Sequence, residues 1–396
     1  MSARPAGSVA AALGPRLDDL VRTLARNAAE VDRSGCFPVQ SVAELRSSGL
    51  FGLLVPTEFG GLGGTLHDLA EIGARLAGGC MSTALIWAMH CQQVDSIVRF
   101  GTDTLHADVL PRIAAGDVYV ASVTTERGSG GHLLTAQSAL ADDASGVRLV
   151  RDAPIVTGGE HADGFLVTMR DAADANPHHV TLVYADRSDL TIEQSGDWDA
   201  LGMRGTRSVA LKLEGHVSEN NVIGKRGDYR TVAIESMIPA AHISWSACWL
   251  GVAQGALRDV IGLIRSPRRP SSIDVASPLV ASRLARIRCD LELVSACLAR
   301  VTDEVAELWS TGRTLSAPEV QIHINTLKIV AAERTLAAVD SMIELVGLST
   351  GYLRSSPIPL ERNLRDLRSA TLNYANDRLL IANGTLILLD KEVTLL

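Results

Sequence analysis

The hydrophobic period of this chain changes twice along its length, and nothing else in the sequence restricts its fold as much. From Leu17 to about Ala115 the apolar residues recur at helical spacing, as in LVRTLARNAAEV and VAELRSSGL, with interruptions at Gly and Pro clusters such as VPTEFGGLGG. From about Asp117 to Asp228 short β-branched runs take over (VYVASVTT, VRLV, FLVTM, HVTLVYA, VALKLEG), separated by Gly, Asp and Asn turns. After Asp228 the helical period returns and fills the rest of the chain with four long amphipathic helices, the pattern of a bundle. The sequence therefore predicts an α+β protein with a helical domain over 1–116, a β domain over 117–228 and a helical bundle over 229–396. A length of 396 residues accommodates two or three such units.

The net charge of −8 and the shortness of the basic run RSPRRP give no electrostatic footprint for nucleic acid or an anionic membrane, and none is expected as a partner. Six cysteines (Cys36, Cys80, Cys91, Cys248, Cys289, Cys297) form no CxxC and fall mostly among helical apolar positions, which predicts free thiols, no metal site and a reducing cytoplasm. The apolar run near the N-terminus is too short for a signal peptide, and no stretch reaches the ~18 uncharged apolar residues of a membrane span.

Three stretches carry chemistry: VTTERGSGG (123–131), DWDALGMRGTRS (197–208) and ERNLRDLRSA (361–370). In their order and spacing, and with the helix-β-helix layout, the chain resembles the acyl-CoA dehydrogenase superfamily over nearly its whole length. The resemblance implies a barrel-like middle domain, a C-terminal four-helix bundle, non-covalent FAD and a homo-oligomer, tetramer or dimer. Small residues in VTTERGSGG would let backbone approach a planar ring; by resemblance Thr124 and Thr125 lie along the isoalloxazine, with Gly130 and Gly131 by phosphates. In PIVTGG the family has an aromatic residue, an apolar one and Thr; here Ile155, Val156 and Thr157 stand there, so aliphatic packing would hold the ring. The resemblance also assigns Arg268 or Arg269, Glu344 and Gly347 to a neighbouring subunit's FAD, and Asn376 and Arg378 to the cofactor. Glu344 replaces a Gln, and an acid beside a pyrophosphate is electrostatically awkward. Arg204 is read as structural, in a turn that packs the β unit on the bundle.

In the family a Glu removes the substrate's α-proton while a hydride leaves for the flavin, which requires a base beside the thioester. The usual position, eight residues after the Asp of the RD pair, is Tyr374; the alternative, ten residues before Gly251 of GVAQGAL, is Ala241. Both carboxylates are absent. His242 adjoins the second position and shares a helix face with Trp245 and Trp249, so either it serves as base near neutral pH or it is a core histidine bonded to a backbone carbonyl. Tyr374, a phenol with a reference pKa of ~10, suits hydrogen bonding rather than proton abstraction. CMSTALIWAMHCQQV matches the family's acyl-pocket helix, which would place Leu85 and Ala88 on the pocket and make Trp87 shorten it. The expectation is an oxidoreductase acting on a small acyl thioester of CoA or acyl carrier protein, with electron-transfer flavoprotein or O₂ as acceptor. A two-component monooxygenase served by a flavin reductase is the alternative, since it needs no Glu. A non-catalytic protein that binds FAD or acyl thioester is the third class.

Overall fold

The structure, a computed structural model, describes residues 8–396 except 128–131, 144–145, 268 and 272. Five helices come first: α1 (Val9–Ser34), α2 (Val39–Ser47), α3 (Leu66–Gly79), α4 (Met81–Phe100) and α5 (Asp103–Ala114). Their starts are written locally. The Ser8 hydroxyl accepts from the Ala11 amide at α1, and at α3 Thr65 and Asp68 exchange bonds in a capping box. The strands are β1 (Val120–Val123), β2 (Ala141–Asp143), β3 (Gly146–Val156), β4 (Gly164–Arg170), β5 (Val180–Asp186), β6 (Leu190–Ser195), β7 (Val209–Val217) and β8 (Val222–Ile223). They form two sheets, β1-β4-β5-β8 and β2-β3-β7-β6, antiparallel except for the parallel β1–β4 pair. The runs predicted from sequence became β1, β3, β4, β5 and β7.

The C-terminal part holds α6 (Tyr229–Val232), α7 (Ile238–Arg265), α8 (Pro278–Ser310), α9 (Pro318–Val346), α10 (Leu360–Leu367) and α11 (Asn376–Leu386). A π-turn over Ala233–Met237 joins α6 to α7, held by Ser236 donating to Asp95 (2.6 Å) and by the Trp309 indole donating to the Glu235 carbonyl (2.9 Å). The rod 229–265 is long and apolar enough to cross a membrane by length and composition alone, and it serves as the core helix packed by α3, α4 and α9. Gly251 explains the closeness of the α3–α7 crossing, because a Cβ there would stand 2.0 Å from the Ala74 carbonyl oxygen.

The final helix expected after Arg362 is two helices instead. Residues 368–375 form successive turns between α10 and α11, and Tyr374 has φ 53°, a left-handed conformation no helix interior contains. The middle sheets are fastened to α10 at one seam. The Met203 amide donates to Asp366 (2.6 Å), and a Cβ on Gly202 would lie 2.0 Å from the Arg365 carbonyl oxygen. Arg204 has the structural role expected of it, donating to the carbonyls of Asp32 (2.8 Å) and Ala200 (3.2 Å). All six cysteines are free.

Candidate active site

A cavity of about 320 Å³ opens between the β unit and the bundle, and a second lobe of about 360 Å³ adjoins it. The lobes meet at Met89, Ile155, Thr157, Leu372 and Asn373. One wall is β structure: Ser122 at the end of β1, Thr124 and Thr125 just beyond it, and Ile155 and Thr157 at the end of β3. Strand alternation puts Ile155 and Thr157 on this face and turns Val156 into the core, fully buried, so Val156 has no side chain to offer a cofactor.

The Thr124–Thr125 turn is anchored from behind by a buried ion pair. Arg151 and Glu126 lie 3.0 Å apart, and Arg151 also donates to the Thr125 carbonyl (3.2 Å). Glu126 accepts the amides of Gln137 (2.7 Å) and Ser138 (2.6 Å). Burial works to raise its pKa, but these hydrogen bonds and the Arg151 charge hold it below the usual carboxylate range. The Thr125 hydroxyl closes the turn by donating to the Ile155 carbonyl (2.8 Å).

The other wall is helical: Met89 and Gln92 from α4, Ala241, His242 and Trp245 from α7, and Tyr374 from the turn before α11. Both positions that hold the base elsewhere in the family, Ala241 and Tyr374, thus face one cavity, and His242 stands beside them with its ring 6.2 Å from those of Trp245 and Tyr374. His242 does not meet the requirement of a base. Its Nδ1–H donates to the Ile324 carbonyl (3.3 Å), and burial, reinforced by the charge of Lys328, pulls its pKa down to about 3. It is the bonded core histidine of the second reading, neutral throughout the physiological range. Burial raises the pKa of Tyr374, so its phenol stays a hydrogen-bonding group. Among the described residues that line either lobe there is no carboxylate.

Behind this wall sits a residue the sequence did not mark. Lys328, fully buried on α9, donates to the carbonyls of Ala370 (2.9 Å) and Tyr374 (2.9 Å) and to Asn376 Oδ1 (2.7 Å). Asn376 passes the contact on by donating to Glu333 (3.1 Å). With both ends of its amide engaged inside the protein, Asn376 is a structural link rather than a cofactor ligand. Burial pulls the Lys328 pKa down to about 7, while three oxygens around one nitrogen fit the ammonium form.

The other expected residues divide. Arg378, Trp245, Ile155, Thr157, Thr124 and Thr125 line the first lobe, and Leu85 lines the second. Ala88 and Trp249 are wholly buried in the core off both walls, Trp249 with its ring behind Trp245. Trp87 is also off the walls, its indole donating to the Leu50 carbonyl (2.8 Å), so it does not shorten the pocket. Arg269 and Glu344 are exposed on the bundle, Glu344 facing Arg283 (3.6 Å), and Gly347 ends α9 with φ 80°; none reaches the cavity of this chain. Gly130, Gly131 and Arg268 lie outside the described residues. Sequence reasoning missed Gln92, which is buried, and Asn373, which is half-buried, each holding an amide atom without a partner among the described residues: Gln92 Oε1 and Asn373 Nδ2. Trp245 Nε1 is a third such atom on the walls. A polar pair inside the apolar run MHCQQV is the one signal that pointed to Gln92.

The walls fit the flavin expected from the resemblance. The two lobes share an elongated space with threonines on one side, and Asn373 Nδ2, an orphaned buried donor, stands where the lobes meet.

The comparisons agree with this geometry. The acyl-CoA dehydrogenase N-terminal domain matches residues 18–117 and the acyl-CoA dehydrogenase C-terminal domain matches residues 243–377, together more than half of the chain. The sequence is 25% identical to isobutyryl-CoA dehydrogenase of Dictyostelium discoideum over 85% of this chain and 78% of that protein. It is 28% identical to L-evernosamine nitrososynthase of a Micromonospora strain, over 89% and 84%. The FMN-bound structure of TdsC from Paenibacillus sp. A11-2 superposes with a TM-score of 0.84 at 22% identity, covering 95% of this chain and 98% of that one. With both family domains matched in order and both base positions of the family facing one cavity, this chain belongs to the acyl-CoA dehydrogenase family of flavoenzymes.

Proposed function

We propose that the protein is a two-component monooxygenase that binds FAD in this cavity and works with reduced flavin supplied through a separate reductase. The observation that carries this reading is the missing base. Among the described residues no carboxylate lines either lobe, and His242 is neutral down to about pH 3, so none of these wall groups suits abstraction of an α-proton from a thioester. Reduced flavin, when bound, supplies two electrons to O₂, so that one oxygen atom enters the substrate and the other leaves as water. The residues of the chain then bind and orient: the Thr124–Thr125 and Ile155–Thr157 edges support the ring, and Tyr374 and Trp245 present hydrogen-bonding groups across from it. Relatives named as a nitrososynthase and as dibenzothiophene monooxygenases support the reading, while the likeness to isobutyryl-CoA dehydrogenase keeps thioester oxidation as its rival.

The deciding experiment is anaerobic mixing of the oxidised flavoprotein with short acyl thioesters, set beside incubation with NADH, a flavin reductase and O₂. We expect no bleaching by any thioester and an oxygenated product in the second assay. Rapid bleaching by a thioester overturns the proposal in favour of dehydrogenation. A protein that takes up no FAD overturns both.

A further inference from the structure

The cavity has a deep end and an open end. Ile155 and Leu372 are 47% and 65% exposed, whereas Gln92, Trp245 and His242 are 6%, 8% and 2% exposed. The deep end is polar in an unusual way. Gln92 Oε1 is a buried acceptor and Trp245 Nε1–H a buried donor, and neither has a partner among the described residues. The ring of His242 is locked by Nδ1–H donation to Ile324, which leaves its Nε2 as a further acceptor. All three come from α4 and α7, opposite the β edges at Thr124, Thr125, Ile155 and Thr157 where the proposed ring would rest.

Charge narrows the choice. Among the described residues no carboxylate lines the cavity while Arg378 does, and the Lys328 amine stands behind its helical wall, so a cationic group is disfavoured. An acyl chain carries only hydrocarbon beyond its carbonyl and would satisfy neither of these buried atoms. A site built of unpaired donors and acceptors discriminates strongly against a ligand that lacks the matching groups.

We propose that Gln92 and Trp245 are specificity-determining residues for a compact, non-cationic substrate that carries hydroxyl-type donor and acceptor groups on the part it buries. The inference rests on the proposed function only in taking this cavity as the substrate site. It makes His242 a neutral hydrogen-bond acceptor for substrate.

The test uses the flavin-loaded protein and two probes of equal shape, resorcinol and m-xylene, which differ in having hydroxyls or methyls. Binding is read by calorimetry and by perturbation of the flavin absorption band. Resorcinol should bind about tenfold or more tightly than m-xylene, as expected where buried polar groups are otherwise left unpaired. Gln92→Met and Trp245→Phe should each remove most of that preference by weakening resorcinol alone. Gln92→Met should melt no lower than the parent, because it deletes an unsatisfied buried atom, whereas a residue kept for packing would lower the melting point. Equal or better binding of m-xylene by the parent overturns the proposal, as does failure of both probes to bind or equal loss of both in the variants. If no oxygenated product forms in the reductase assay while resorcinol keeps its preference, the monooxygenase reading falls and this one stands; the reverse pattern removes this one alone.

Discussion

The ammonium of Lys328 donates to the backbone carbonyl of Tyr374 at 2.9 Å, and Tyr374, on the wall of the first lobe, has a left-handed backbone. A non-glycine residue in that conformation costs about 1–2 kcal/mol, so the surrounding bonds must hold it there. Lys328 does so from beneath, since its bonds to Ala370, Tyr374 and Asn376 span the break between α10 and α11. Lys328→Met leaves three buried oxygens without a donor and should destabilise the protein by about 3 kcal/mol or more in chemical denaturation. Flavin retention should fall as well. A variant as stable as the parent would show that the break holds its shape without the lysine.

Glu126 and Arg151 make a comparable prediction for the opposite wall. Glu126→Gln leaves the buried Arg151 guanidinium uncompensated and should cost about 3–5 kcal/mol, whereas Arg151→Met combined with Glu126→Gln should recover much of that loss. A denaturation cycle over the two single variants and the double one gives the coupling. If the losses simply add, the pair does not act as a unit.

The acid response follows from two buried histidines. His242 is held to about 3 and His90 to about 4, both mainly by burial, against an ordinary value near 6.5. Between those values the unfolded chain binds protons that the folded one does not, so stability is full above about pH 6.5 and declines as pH falls toward 4. His90 is also pinned between the Phe51 carbonyl and the Val120 amide, both at 3.0 Å. His242→Gln should flatten part of the decline in melting temperature between pH 6.5 and 4. Turnover of the parent should show no histidine step from His242 between about pH 5 and 8; a step that His242→Gln abolishes would restore it as the base.

Asp366 works in the opposite direction. Burial pushes its carboxyl up to about 6, so its contribution is full below the ordinary value of 3.8 and is lost as pH rises through 6. Asp366→Asn keeps an acceptor for the Met203 amide and removes the buried charge. It should raise the melting temperature at pH 8 and leave it nearly unchanged at pH 4. A lower melting temperature at pH 8 would show that the charge strengthens the Met203 bond by more than its burial costs.

How much of this was legible in the sequence depends on the range of the interaction. The change of period from 3.6 to 2 and back is local, and it gave the order of helices and strands correctly. The family resemblance points to Ala241, His242 and Tyr374 as one site, and the fold brings all three to one cavity. The strands that escaped notice, β2, β6 and β8, are either two or three residues long or, like LTIEQS, mostly exposed along an edge, so no apolar alternation marks them. The break before Tyr374 was invisible because RSATLNYA contains no Gly or Pro; Lys328, which bonds across it, lies 46 residues earlier in a run that reads as an ordinary amphipathic helix. Val156 could be placed by strand alternation alone, whereas the neutrality of His242 is a property of burial that only the packed fold creates.

The seam between Gly202–Met203 and Arg365–Asp366 also sets how the molecule breathes. With glycine backbone pressed against the carbonyl of Arg365 and an amide bonded to Asp366, the sheets cannot swing away from α10 as a rigid body without breaking that joint. Rotation of the exposed rim side chains Ile155 and Leu372, a motion of picoseconds to nanoseconds, leaves that joint intact, whereas a hinge of microseconds to milliseconds would have to break it.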